Sequence, residues 1–180
     1  MWRKQIISSP DLKRARFKPL IYSVLIVCLL AVVCVLFASR KLVRNSTDSL
    51  PHGIYYVSKK DTYSRGDIVS FPVPEEVGGM VIDRGWLKEG GVLLKKIAAL
   101  PGDEVCVEGS TLTINSEPKA GIKSVDSQGR PLPKYESCGP LGKDEIFLLH
   151  PEDEESFDSR YFGPVATKEI KGAAKPLWIF

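Results

Sequence analysis

The chain has 180 residues, an apolar fraction of 43% and a formal net charge of +3. This length allows one modest domain with additional segments, and the apolar fraction is ordinary for a globular protein. This net charge is too small to argue for a nucleic-acid partner. The uneven spread of the basic residues along the chain weakens that argument further.

A basic tract begins the chain and an uncharged apolar segment follows it. Residues 1–18 contain six Lys or Arg and a single acid, Asp11. Residues 20–38 carry no charge, and as a helix they would span roughly 28 Å, about one hydrocarbon core. A cleaved signal peptide is the alternative, but this apolar run is too long and the sequence ASRK after it makes a poor cleavage site.

The Lys/Arg asymmetry around this segment predicts its orientation. The trailing flank carries only three basic residues, Arg40, Lys41 and Arg44, against six on the leading flank. The positive-inside rule therefore keeps the N-terminus in the cytoplasm. We predict a cytoplasmic tail over 1–18, a transmembrane anchor over 19–38 and an exported domain over 39–180.

The cysteines agree with export. Cys28 and Cys34 lie within the apolar segment and are interpreted as small apolar residues. Cys106 and Cys138 are the two cysteines of the exported part, and an even pair in an oxidising compartment indicates a disulfide. Such a bond would close a loop of about 33 residues and stabilise the fold by about 3 kcal/mol. The cysteines and the two histidines lack metal-ligand spacing, so we expect no metal and no cofactor.

The exported part is rich in short β-strand patterns. Six segments combine Ile, Val, Leu, Phe and Tyr between Gly, Pro or Asp: GIYYV, GDIVSF, VLLKKIAAL, DEVCV, TLTIN and EIFLLH. Strands at such short intervals favour an antiparallel sandwich or open barrel over a parallel sheet. Residues 74–91 break this pattern and are predicted to form a loop with at most one short helix. Residues 106–138 enclose a polar, Gly/Pro-rich excursion that the disulfide would clamp at its base.

A serine lies two residues before a proline shortly after the apolar segment, in the stretch NSTDSLPHGIYYV. Peptide hydrolysis requires a nucleophile, a base and donors to the oxyanion. His52 is too close to Ser49 in an extended segment to be directed back at it. His150 ends a predicted strand, precedes acidic residues and is interpreted as a polar surface residue. A histidine triad is therefore disfavoured.

Two adjacent lysines in an apolar strand offer another base. Lys95 and Lys96 lie in LLKKIAALPGDEV, where alternation gives both of them apolar neighbours. Both could extend from an edge strand into solvent. Alternatively, burial could lower the pKa of one lysine enough for it to act as a base. Periodicity by itself does not choose between the two lysines.

Four stretches together resemble the membrane-bound signal peptidases that use a Ser–Lys dyad. They are, in chain order, STDSLPHGIYYV, GDIVSF, LLKKIAALPGDEV and SFDSRYFGPV, and the likeness covers about residues 45–165 plus the anchor. The single span, the short excursion and the cysteine pair are most similar to the conjugative-transfer peptidases of the TraF type. The resemblance implies an all-β fold of antiparallel sheets, shared with the LexA-like self-cleaving repressor proteases, after one N-terminal transmembrane helix.

The resemblance also implies roles for individual residues. Ser49 would be the nucleophile, Lys95 the base, Thr47 an oxyanion donor and Ser156 the residue that orients the lysine amine. Leu50 replaces the commoner methionine, a substitution that keeps the volume.

Three further positions, and a role for Leu50, complete these assignments. The resemblance makes Asp158 and Arg160 a supporting ion pair beneath the site. We also assign Leu50 and Leu94 to substrate contact.

The function implied by the resemblance is proteolysis of exported precursors. The chain would be a serine endopeptidase of the bacterial inner membrane with its catalytic domain on the periplasmic side. Its expected partners are the lipid bilayer and precursor proteins, above all a conjugative pilin, and no nucleic acid. Two alternatives remain open: a general type I signal peptidase, and a non-catalytic anchored subunit of a secretion or pilus machine.

Overall fold

The structure is a computed structural model that describes residues 10–38 and 41–180, with helix side chains described from Lys18 onward. The first nine residues of the predicted basic tail, and residues 39–40 of the trailing flank, lie outside the described residues. The chain divides after residue 40 into a helical unit and a β-rich domain. The two units are described separately.

The helical unit is a single long helix, α1 (Pro10–Ala38). Its segment Lys18–Ala38 has 21 residues and a mean hydropathy of 3.1, so by length and composition it can cross a membrane. Its apolar side chains are exposed in every direction around the axis instead of forming one stripe. A helix that is apolar all round requires an apolar environment such as lipid.

The domain over residues 41–180 is built mainly from β-strands. Two short helices, α2 (Glu75–Asp83) and α3 (Ser159–Phe162), interrupt the strands. The strands, in chain order, are β1 (Leu42–Asn45), β2 (Gly53–Ser58), β3 (Ile68–Pro72), β4 (Val92–Ala99), β5 (Glu104–Glu108), β6 (Thr111–Ile114), β7 (Glu117–Gly121), β8 (Cys138–Pro140), β9 (Glu145–Leu149), β10 (Val165–Ala166) and β11 (Gly172–Ile179).

The strands form two antiparallel sheets. The larger sheet has seven strands in the order β1-β2-β11-β3-β4-β9-β10, and the smaller has four in the order β7-β6-β5-β8. Every strand pair that the structure describes within these sheets is antiparallel. The predicted all-β, antiparallel fold after one N-terminal apolar helix is therefore confirmed.

All six strands predicted from the sequence are present, as β2, β3, β4, β5, β6 and β9. The single short helix expected within residues 74–91 is α2. Strand β11 was not predicted, because its sequence GAAKPLWI contains Gly, Ala and Pro, which have low strand propensity. It nevertheless pairs with both β2 and β3, with a register shift between Pro176 and Trp178. Tertiary pairing has overridden local propensity here.

Strand β11 joins the two parts of the sheet that carry the site. One part is the β1–β2 hairpin and the other is the β3–β4 pair. A Cβ atom at Gly53 would overlap the carbonyl oxygen of Trp178, so only glycine allows β11 to approach the start of β2 this closely. The hairpin is thereby packed directly against β11.

Three clusters of buried apolar side chains form the core. One lies between the small sheet and the end of β9, and it includes Leu112, Phe147 and Tyr161. The cluster nearest the site contains Leu50, Tyr55, Val57, Leu94 and Ala174. It packs the loop that follows β1 against β4, so core packing brings these two segments together.

Candidate active site

Ser49 lies in the loop that joins β1 to β2. Its side chain is nearly buried, with 4% exposure. Its Oγ lies 3.2 Å from Oγ1 of Thr47, two residues earlier in the same exposed loop. The loop therefore holds the two hydroxyl groups next to each other.

Lys95 lies on β4 and is 4% exposed, an unusual environment for an ammonium group. Burial lowers the pKa of Lys95 to about 8, although the carboxylates of Asp158 and Asp153 act in the opposite direction. Its Nζ donates a hydrogen bond of 2.6 Å to Oγ of Ser156. The structure therefore contains a buried amine that loses its proton far more readily than an ordinary lysine.

The neighbouring lysine lies in a different environment. Lys96 is partly exposed, in contrast to Lys95. Successive residues of a strand point to opposite faces of the sheet, so the two amines cannot share one site. Strand alternation alone left this choice open, and burial within the folded domain distinguishes the two residues.

An ion pair lies beneath Lys95. Asp158 and Arg160 are completely buried, and Nε of Arg160 donates to Oδ1 of Asp158 at 2.8 Å. Nη2 of Arg160 also donates to the backbone oxygens of Ser156 (3.0 Å) and Asp153 (2.9 Å). The guanidinium thus fixes the loop that carries the Ser156 hydroxyl, and this hydroxyl in turn contacts Lys95. These contacts agree with the supporting position that the resemblance gave to the pair.

Ser49 and Lys95 line the same cleft, which has a volume of about 460 Å³. Thr47, Ser156 and Leu94 also line it. Among the hydrogen bonds of the described residues, none joins Ser49 Oγ to Lys95 Nζ. In this structure each of the two side chains has another partner, and the cleft brings them together without a direct bond.

Leu50 and Leu94 were both assigned to substrate contact, and the structure separates them. Leu94 lines the cleft, whereas Leu50 is not among its lining residues. Leu50 is 3% exposed and packs in the cluster around Tyr55 and Val57. The structure therefore gives Leu50 a packing role that supports the loop of Ser49.

Neither histidine contacts Ser49. His52 Nε2 lies 3.0 Å from Oδ1 of Asp48, on the exposed side of the loop. The side chain of His150 is only 14% exposed, so its interpretation as a polar surface residue was wrong. Burial lowers the pKa of His150, despite the opposing effect of Glu152.

Cys106 and Cys138 form a disulfide, as predicted. They are directly paired residues of β5 and β8 in the small sheet, and neither lines the cleft. Glu104 lies beside them and completes a group of three potential metal-ligand atoms within 4.8 Å. Both sulfurs are bonded to each other, so the group offers no thiolate to a metal.

Sequence analysis missed one wall of the cleft. Trp86 and Phe157 line it with ring centroids 5.2 Å apart. The guanidinium groups of Arg84 and Arg130 lie over the Trp86 ring, at 5.1 and 5.8 Å from its centroid, and both bind Asp126. The sequence signal for this wall was Trp86 itself, a large aromatic residue in the polar, Gly-rich loop after α2. These contacts connect the cleft wall to the excursion closed by the disulfide.

Sequence analysis also missed Asn45, the last residue of β1. Its side chain is buried, and Nδ2 donates to the backbone oxygens of Thr47 and Leu50 at 2.9 and 2.8 Å. The available signal was an asparagine two residues before a threonine, a pattern typical of Asx turns. Asn45 therefore organises the loop of the serine through side-chain–backbone bonds.

Comparisons with known proteins all point to the same family. Residues 15–179 match the family described as signal peptidase, peptidase S26. A plasmid transfer protein TraF of Escherichia coli is 33% identical over 144 residues, which cover 74% of this chain and 80% of that protein. The conjugal transfer protein TraF of Agrobacterium fabrum is 30% identical over 149 residues, with 76% and 81% coverage.

A solved structure of signal peptidase I from Enterococcus faecalis has 25% sequence identity and a TM-score of 0.40. The matched region covers 64% of this chain and 98% of the signal peptidase I chain. The family match spans nearly the whole chain and includes both the serine loop and the lysine strand. The chain therefore belongs to the signal peptidase family, peptidase S26, and within it to the conjugal transfer proteins of the TraF type.

Proposed function

We propose that this protein is a membrane-anchored serine endopeptidase in which Ser49 is the nucleophile and Lys95 the general base. The observation that carries the proposal is a buried lysine, with its pKa lowered to about 8, in the same cleft as a nearly buried serine. At pH 7 such an amine is neutral in roughly one molecule in ten, against about one in 2,500 for an ordinary lysine. Burial thus supplies the base that the chemistry requires.

Catalysis begins when the Ser49 hydroxyl turns from Thr47 toward the neutral amine of Lys95. The amine takes the proton as Oγ attacks the scissile carbonyl, and the new ammonium then gives a proton to the leaving amine. Water hydrolyses the acyl-enzyme with the same lysine as base. Ser156 keeps the amine directed through its 2.6 Å hydrogen bond.

The oxyanion that forms during attack requires donors in the cleft. The backbone N–H of Ser49 is one donor, and the Thr47 hydroxyl, 3.2 Å from Ser49 Oγ, is the other. Both donors belong to the loop that carries the nucleophile. A small movement of this loop therefore changes attack geometry and oxyanion stabilisation together.

An extended precursor segment fits the strand edges at the cleft. The outer edge of β1 is unpaired among the described strands, and β4 pairs with β9 only from Lys96 onward. Residues of both segments, Val43–Asn45 and Val92–Leu94, line the cleft. A peptide can add to such an edge through main-chain hydrogen bonds, with alternate side chains entering the cleft.

The substrate we propose is an exported precursor with its signal segment in the membrane, specifically a conjugative pilin. The names of two relatives, a plasmid transfer protein and a conjugal transfer protein, support a role in conjugation, and a pilin is the precursor that the TraF-type resemblance implies. The heavier basic flank before the apolar helix supports a cytoplasmic N-terminus and a periplasmic catalytic domain at the bacterial inner membrane. This arrangement would hold the cleft on the same side of the membrane as the precursor cleavage site.

Co-expression with exported precursors, followed by mass spectrometry of their termini, tests the proposal. Wild type is expected to produce a new N- or C-terminus on a conjugative pilin precursor, and Ser49→Ala to leave it intact. Ser58→Ala, at an exposed serine that ends β2, is the matched control and is expected to process normally. Processing by Ser49→Ala at the wild-type rate would instead support a non-catalytic anchored subunit.

Reporter fusions test the orientation. A reporter active only outside the cytoplasm, fused after Phe180, is expected to be active. A cytoplasmic reporter that is active at the same site would overturn the periplasmic assignment. Cleavage of many unrelated exported precursors would favour a general type I signal peptidase over one specific to conjugation.

A further inference from the structure

The side chain of Asn45, the last residue of β1, forms several hydrogen bonds within the loop that carries Ser49. It is 6% exposed. Its Nδ2 donates to the carbonyl oxygens of Thr47, Leu50 and Pro51, at 2.9, 2.8 and 3.3 Å. These three acceptors surround Ser49 in sequence, so one amide group holds both sides of the loop.

These contacts also fix which way the Asn45 amide points. Three carbonyl oxygens can accept from a nitrogen but cannot donate to an oxygen, so Nδ2 must face them. Oδ1 then faces Thr47 and accepts from its hydroxyl at 2.8 Å and from its backbone N–H at 3.4 Å. The amide orientation therefore follows from the hydrogen-bond network alone.

The direction of the Thr47 hydroxyl proton follows from this amide orientation. A threonine hydroxyl has one proton, and Thr47 uses it to donate the hydrogen bond to Oδ1 of Asn45. Toward Ser49, at 3.2 Å, the Thr47 oxygen can then act only as an acceptor. In the hydrogen bond between the two hydroxyls, Ser49 is consequently the donor and Thr47 the acceptor.

We infer that Asn45 is a positioning residue that controls the Thr47 hydroxyl and, through it, the proton of Ser49. The inference rests on the proposed peptidase function. For the reaction, the Thr47 proton changes partner from Asn45 Oδ1 to the oxyanion, and the Ser49 proton moves from Thr47 to Lys95. Asn45 holds the loop fixed while these two exchanges occur, because its two N–H groups are shared among the three carbonyl oxygens.

A purely structural asparagine at the end of β1 makes a different prediction. It would affect folding and substrate affinity, but its effect on kcat would not depend on the Thr47 hydroxyl. A double-mutant cycle between Asn45 and Thr47 separates the two roles, because residues that act through each other have non-additive effects. The full-length enzyme in detergent and a conjugative pilin precursor are used throughout.

We expect Asn45→Ala to lower kcat by about 10–100-fold with KM changed by less than about threefold. In a Thr47→Val background, the same substitution is expected to lower kcat by less than about threefold. Equal losses in the two backgrounds would overturn the inference, as would an unchanged kcat for Asn45→Ala. Asn115→Gly, which removes another loop-organising asparagine outside the cleft lining, is the control and is expected to keep wild-type kcat.

Circular dichroism establishes whether Asn45→Ala is folded. If it is not, Asn45→Asp replaces it in the same cycle, because it keeps the side-chain volume and the acceptor for Thr47. A carboxylate cannot donate to the three carbonyl oxygens, so kcat is still expected to fall, and additivity with Thr47→Val again overturns the inference. Ser49→Ala separates the two proposals: an active Ser49→Ala overturns the peptidase function, whereas an inactive one with additive Asn45 effects overturns only the role of Asn45.

Discussion

The serine and the lysine of the cleft are held in contrasting ways. The Ser49 loop is mostly exposed and is fixed by local side-chain–backbone bonds that span a few residues. Lys95 lies on a paired strand above a completely buried ion pair, and its contact with Ser156 links segments 61 residues apart in sequence. The comparison indicates that burial fixes the environment of the proposed base, whereas the proposed nucleophile depends on a few local hydrogen bonds of its own loop.

The largest expected effect is loss of the base. Lys95→Ala is expected to abolish processing, and Lys95→Arg as well, because a guanidinium does not deprotonate near neutral pH. Lys96→Ala is the matched control and is expected to keep most activity, since its amine lies on the opposite face of β4. Precursor processing by purified protein measures all three. A normal rate for Lys95→Arg together with an inactive Lys96→Ala would show that the base has been misassigned.

The ion pair beneath the lysine is expected to matter first for stability. Arg160→Met leaves the carboxylate of Asp158 buried without its cation, which is expected to lower the free energy of unfolding by about 3–5 kcal/mol. Lys119→Met, which breaks the exposed pair with Glu117, is the control and is expected to cause no measurable change. Urea unfolding compares the two. If the two variants had equal free energies of unfolding, the buried Asp158–Arg160 pair would not be a stabilising support beneath Lys95.

On the serine side, Thr47→Val is expected to affect rate without affecting the fold. Removal of the hydroxyl deprives the oxyanion of one donor and should lower kcat by about 10–1,000-fold, with little change in KM. Thr47→Ser retains the hydroxyl and is expected to recover most of the activity. Steady-state kinetics on the precursor measures the split, and a change in KM alone would assign Thr47 to substrate binding.

The disulfide lies outside the cleft, so its loss is expected to separate stability from chemistry. Cys138→Ser should lower the free energy of unfolding by about 2–4 kcal/mol. At a temperature where the variant remains folded, kcat is expected to match wild type. A large loss of kcat in folded protein would indicate that the excursion positions the wall around Trp86.

The smallest effect is a graded response to pH. Because the pKa of Lys95 is lowered to about 8, kcat/KM is expected to fall about tenfold per pH unit below that value.

The stability of the fold is also expected to depend on pH. The unfolded chain binds the Lys95 proton more tightly than the native state, so the free energy of unfolding should rise as the pH increases from about 8 toward 10.5. Lys95→Met is expected to remove that rise. A kinetic pKa below 6.5 would implicate His150, whose pKa is also lowered by burial, in place of Lys95.

The sequence by itself determined the apolar helix, six of the strands and the cysteine pair. These features depend on local composition and on alternation, which can be read without knowledge of the fold. The four stretches in family order also indicated Ser49 and Lys95. Strand β11 was beyond this reach, because Gly, Ala and Pro become a central strand only when β2 and β3 are present to pair with them.

The tertiary structure alone decided the state of the site. Which lysine is buried depends on the packing of β4 against segments distant in sequence, and the same packing places Leu50 in the core while Leu94 faces the cleft. The role of Asn45 depends on three carbonyl oxygens that converge only after the loop has folded. Burial and hydrogen-bond geometry are properties of the assembled chain, so the sequence could name the candidate reacting groups but not their burial or the local hydrogen bonds that Asn45 makes.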